Sequence, residues 1–149
     1  MPRLGLSNSS SKIRDRAPTP IIWEDFTSGT ASFNGTNANL LQTSTGLRVT
    51  TTSSGGYASR SVTCSASTKY SYRIKLHTSS AGSGDKTIMI GTSTGDASLV
   101  EVVNNTHGTI ASGTFTTGGS TTEISVGLKV ANNGKYAIWD DILIEPDDA

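Results

Sequence analysis

Two adjacent carboxylates, Asp140 and Asp141, are of the right type for acid–base work on a glycosidic bond. Neighbouring residues of a strand point to opposite faces, however, so the pair is not expected to flank one bond. The histidines, His77 and His107, lie in different segments, with no Ser, Cys or acid at a spacing that makes a nucleophile or a metal site. Both read as surface residues. The glycine-rich stretches SSGGY (53–57) and AGSGDK (81–86) lack the following helix and the Lys-Ser/Thr pair that a phosphate loop needs. A lone Cys64 between Val62 and Ala66 excludes an internal disulfide or a Cys-based metal knuckle, and reads as a buried small hydrophobe. With no catalytic constellation, the chain is expected to be non-enzymatic.

Apolar and polar residues alternate through most of the chain, which is the period of a half-buried strand. Tyr70, Tyr72, Ile74 and Leu76 oppose Ser71, Arg73, Lys75 and His77, and Ile124, Val126, Leu128 and Val130 oppose Glu123, Ser125, Gly127 and Lys129. Ten strands are expected, at 21–27, 31–34, 46–52, 57–65, 69–78, 86–92, 97–104, 112–117, 122–131 and 135–145. The turn residues Asn132-Asn133-Gly134 predict that the last two form a hairpin. No window shows a sustained helical period. The fold class is therefore all-β, an antiparallel two-sheet sandwich of jelly-roll type over residues 21–149, preceded by an extended N-terminal arm over residues 1–20.

The arm is compositionally distinct. It carries Arg3, Lys12, Arg14 and Arg16 against Asp15, a net charge of 4 − 1 = +3, and leaves the remainder at −3 in a chain of zero net charge. No apolar run follows Met1, so it lacks the features of a secretory leader, and no stretch of the chain is apolar enough to span a membrane. Four cations could meet phosphates, but the acidic body has no basic stripe with interleaved aromatics, so nucleic acid is not the expected partner.

The closing segment KYAIWDDILIEP (135–146), with TEISVGLKV pairing beside it, resembles the last strands of carbohydrate-binding-module-like jelly rolls. STKYSYRIKLHTSS and IIWEDFTSGTASFNG are similar to the central and first strands of that group. The resemblance implies carbohydrate as a partner, held on exposed aromatic platforms. Of nine aromatics, Trp23, Phe26, Phe33, Tyr70, Tyr72, Phe115 and Tyr136 fall at expected core or core-edge positions, leaving Tyr57 and Trp139 as the candidate glycan platforms. Trp139 shares parity with Asp141 and Leu143, opposite to Ile138 and Ile142, and a structural role is its other reading. The resemblance also implies a structural calcium near the termini, held by Glu24 or Asp25 with Asp140 or Asp141. No other cofactor is expected.

MPRLGLSNSSSKIR resembles the openings of small tailed-bacteriophage virion proteins, in which a Leu-Gly-Leu segment and a basic Ser-rich stretch precede a β-domain. This implies a capsid cement or decoration protein located in the virion, with the major capsid protein, other virion proteins and copies of itself, as a trimer, for partners. Leu4, Leu6 and Ile13 would fill apolar pockets while Arg3, Lys12, Arg14 and Arg16 meet acidic surface. An arm of this length reaches roughly 66 to 72 Å when fully extended. The alternatives are a carbohydrate-binding module on a phage tail or baseplate, and a head–tail adaptor.

Overall fold

Alternation decides which side chains meet, and here it produces two sheets that share one apolar interior. The computed structural model of the chain describes residues 19–27, 29–81, 85–103 and 106–147. Eleven strands and no helix occur among them: β1 (Ile22–Glu24), β2 (Asn34–Thr36), β3 (Ala38–Thr43), β4 (Gly46–Thr51), β5 (Gly56–Thr63), β6 (Lys69–Ser79), β7 (Lys86–Gly91), β8 (Val100–Val103), β9 (Thr109–Thr116), β10 (Glu123–Val130) and β11 (Tyr136–Pro146). One sheet runs β3-β4-β11-β6-β9, with β1 added along β11, and the other runs β2-β5-β10-β7-β8. Every pairing is antiparallel, and the result is the expected jelly-roll sandwich. No helix among the described residues is long and apolar enough to cross a membrane.

The alternating segments bury the faces their sequence marks. Tyr70, Tyr72, Ile74 and Leu76 of β6 and Ile124, Val126, Leu128 and Val130 of β10 all lie in the core between the sheets. Tyr70 stacks on Phe115 with ring centroids 5.6 Å apart, and its hydroxyl accepts the Ser65 amide at 2.9 Å, so the polar end of a buried ring is satisfied. Phe26 and Phe33 pack at 5.8 Å. Cys64 is buried as expected; burial, with Glu123 adding, pushes its thiol pKa up and keeps it neutral.

One strand is new. Residues 38–43 form β3, a segment outside the ten expected strands, where Asn37, Asn39 and the adjacent Leu40 and Leu41 break the alternation. An edge strand with one face in water needs little apolar patterning to pair, and β3 pairs with β4 along its full length. Gly46 closes that connection at φ 138°. A Cβ there would come within 2.2 Å of the Trp139 carbonyl oxygen, so only glycine fits.

The expected final hairpin does not form. β10 pairs with β5 and β7, and β11 with β4, β6 and β1, so Asn132-Asn133-Gly134 carries the chain from one sheet to the other. The turn itself is present, with Gly134 at φ 77°, but it is anchored to β4. The Thr51 amide donates to the Lys135 carbonyl at 2.9 Å, the Thr51 hydroxyl donates to the Asn132 carbonyl, and the Gly134 amide donates to the Thr51 carbonyl at 3.2 Å. Two strands that are each central to a sheet cannot also be neighbours.

Candidate functional site

The three residues of β1 place Ile22 in the core, and strand alternation then turns Trp23 outward. Trp23 is 59% exposed, which corrects its expected place at the core. Directly afterwards the Glu24 carboxylate accepts the Phe26 amide at 2.8 Å, Phe26 adopts φ 55°, and the chain turns so that Phe26 enters the interior. The turn is pinned by the Gln42 side-chain amide, which donates to the Phe26 carbonyl at 2.7 Å. Trp23 thus stands on a short strand fixed on both sides of it.

In register with it run Leu143 of β11, Arg73 of β6 and Ser112 of β9. This row of aromatic, aliphatic, guanidinium and hydroxyl crosses four strands, at about 4.8 Å per strand. Trp23, Leu143, Arg73, Ile110 and Asp141 line a depression of about 220 Å³ on the outer face of the sheet. An apolar floor flanked by one donor and one acceptor is the arrangement that holds a small amphipathic ring.

Asp141 reaches this depression through a bulge. The register between β11 and β6 shifts between Asp140 and Leu143, and Asp141 takes φ 51°. The same point divides β11: residues 136–139 pair with β4 and residues 142–144 with β1. The extra residue reverses the parity, so Ala137, Trp139, Ile142 and Ile144 all face the core. The expectation that Asp140 and Asp141 lie on opposite faces therefore fails: Asp141 opens onto the outer face and Asp140 is half-buried opposite Lys75. Burial raises the Asp140 pKa and the Asp141 and Asp25 charges add to this, against the Asp141 amide it accepts at 2.8 Å and Lys75.

The two expected platforms are placed elsewhere. Trp139 is fully buried, because the bulge comes after it and leaves it on the inner face, so it has the structural role and presents no ring to a ligand. Tyr57 lies half-buried on the outer face of the β10 sheet, with its hydroxyl end against Gly95 of the β7–β8 loop. A Cβ on Gly91 would meet the Asp96 carbonyl at 2.4 Å, so the same loop folds down onto that sheet. The Asp96 carboxylate holds it by accepting from the Ser98 hydroxyl at 2.6 Å and the Thr92 amide at 2.8 Å.

Of the acids named for calcium, Glu24 is engaged with Phe26, and Asp25 accepts the Thr27 hydroxyl at 2.9 Å and its amide at 3.2 Å. Among the described residues no group of three or more His, Cys, Asp or Glu side chains is arranged to hold a metal ion. His77 is half-buried and His107 exposed. The arm residues Arg3, Leu4, Leu6, Lys12, Ile13, Arg14 and Arg16 lie outside the described residues.

No protein-family model matches the sequence, and no curated protein matches it. Solved structures do share the fold. A CBM4 structure superposes with a TM-score of 0.59 at 12% identity, covering 77% of this chain and 94% of that one. The CBM22-1 xylan-binding domain of Paenibacillus barcinonensis Xyn10C gives 0.58 at 14%, covering 90% and 98%. The carbohydrate-binding module CBM6cm-2 of Cellvibrio mixtus lichenase 5A, in complex with cellotriose, gives 0.53 at 14%, covering 85% and 98%. At these identities the likeness establishes a β-sandwich of the carbohydrate-binding-module kind as a fold. Nothing in these comparisons indicates a virion protein.

Proposed function

We propose that this domain is a non-catalytic glycan-binding module whose contact surface is the outer face of the β11 sheet around Trp23. The observation that carries the reading is the exposure of Trp23, 59%, at the edge of a depression that also holds Arg73 and Asp141. A sugar ring has an apolar CH face and a rim of hydroxyls. The indole and the Leu143 side chain meet the first, while the guanidinium donates to the rim and the carboxylate accepts from it. The shared fold with carbohydrate-binding modules supports the same reading.

Affinity measurements on a panel of soluble polysaccharides test it directly. Trp23→Ala is expected to weaken the binding at least about tenfold, or about 1.4 kcal/mol. Deleting residues 1–18 is expected to leave it intact, because the depression is built between residues 23 and 143. Undiminished binding by the Trp23 variant would remove this face from consideration.

A further inference from the structure

The cations on the outer face of the β11 sheet differ in one respect. Lys69 pairs with Asp147 at 3.3 Å. Arg48 lies over the Tyr136 ring, 4.2 Å from its centroid, and Lys75 stands in register with Asp140. Neither the Lys75 nor the Arg73 side chain has an ion pair, ring contact or hydrogen bond among the described residues, but Lys75 faces the Asp140 carboxylate and lowers its pKa, whereas Arg73 stands in register with Leu143 and Ser112 and faces no acid in that row. Arg73 is exposed, lines the depression beside Leu143, and shares it with Asp141 without bonding to it. A guanidinium and a carboxylate that line one 220 Å³ space without an ion pair between them leave a donor fork and an acceptor for a third group that enters it.

Resting on the glycan-binding reading, we propose that the preferred ligand is an acidic saccharide, with a hexuronate residue seated over Trp23 and Leu143. A hexuronate pyranose carries a carboxylate at one end of the ring and hydroxyls at the other. The carboxylate meets Arg73, whose planar fork suits a two-oxygen anion, and the hydroxyls donate to Asp141. Turned the other way, the ring would bring two carboxylates together and leave the guanidinium facing hydroxyls. The two charges therefore set the orientation of the ring as well as the class of sugar. Fixing Asp141 at φ 51° in the bulge holds the acceptor end in place.

The test is a calorimetric titration of the full chain with oligogalacturonate, oligoguluronate and glucuronic-acid-substituted xylo-oligosaccharide. Each is compared with its carboxyl-reduced, neutral counterpart. At least one uronate should bind about tenfold more tightly than its reduced form, and that margin should shrink as salt rises from about 0.01 M to about 1 M. Arg73→Gln should erase the margin, weakening the uronate far more than its reduced form, and Arg73→Lys should keep part of it, since charge survives and the fork does not. Trp23→Ala should weaken both ligands. Equal affinity of the unaltered chain for acid and reduced forms overturns the acidic-sugar proposal and leaves glycan binding standing. Binding of none of these saccharides, acidic or neutral, overturns the proposal, and failure on the wider polysaccharide panel as well overturns the glycan-binding reading. A margin that survives in Arg73→Gln also overturns the proposal, because the preference then comes from another group.

Discussion

On the outer side of the β11 sheet the chain sets Trp23, Leu143, Arg73 and Ile110 around an open depression. On the outer side of the β10 sheet it sets Ser59, Ser125, Gly127, Gly91 and Met89, and all five are buried although they face away from the core. The difference is one of side-chain size. Small residues leave room above the β10 sheet, and that room is filled from within the molecule. Met89 lies against Gly127, where a Cβ would stand 2.7 Å from its terminal methyl, and the β7–β8 loop rests on Gly91. Among the described residues no loop rests on the large side chains of the β11 sheet in this way, and Trp23 and Ile110 stay exposed. A ligand-binding face on a sandwich is thus as much a matter of what the chain's own loops leave uncovered as of which residues are present.

The largest expected effect separates the two tryptophans. Trp139→Ala empties a fully buried site beneath the β11 sheet and should destabilise the domain by about 3 to 5 kcal/mol in chemical denaturation. Trp23→Ala, on the open face of the same sheet, should stay within about 0.5 kcal/mol of the unaltered chain. A comparable loss at Trp23 would make that face structural and collapse the contrast.

The roofed face is tested next. Ser125 is 2% exposed and its hydroxyl has no hydrogen-bond partner among the described residues. Ser125→Ala should therefore leave stability unchanged or raise it by up to about 1 kcal/mol, whereas a loss larger than about 1 kcal/mol would mean the hydroxyl is bonded under the loop.

The smallest effect concerns the loop that forms the roof. The Ser98 hydroxyl, then the Thr92 amide, hold the Asp96 carboxyl below its ordinary pKa. A folded-state pKa below the unfolded one contributes stability that is present above the unfolded pKa and lost as pH falls through the folded one. Melting curves from about pH 5 to about pH 2 should show a small acid-side loss that Asp96→Asn lacks. Asp140 has the opposite sign: its raised pKa makes its contribution greatest below the unfolded pKa, and that contribution is lost as pH rises through the folded one.

The elements with clean alternation were legible as they stood. β6 and β10 each bury the face that their period-two pattern marks, because one strand's worth of sequence contains the whole signal. β3 was not, since Asn37 and Asn39 are turn formers by type and an edge strand's pairing depends on β4. For Trp23 the local sequence Ile21-Ile22-Trp23 offers three apolar residues in a row, from which alternation alone cannot choose a face. The signal available was the pair of acids that follows, which ends the strand after Glu24 and leaves one inward place, taken by Ile22.

The sequence by itself determined the all-β class, most of the strands and most of the core, because side-chain alternation and turn chemistry are properties of a few consecutive residues. Only the tertiary structure decided which tryptophan meets water. That choice depends on the slip of β11 against β6 at Asp140–Asp141, on β1 joining β11 beyond the slip, and on the final turn leading to the opposite sheet. A one-residue slip exchanges the two faces of a strand, and a slip is fixed by partners far away in the chain, so it leaves no local mark to read.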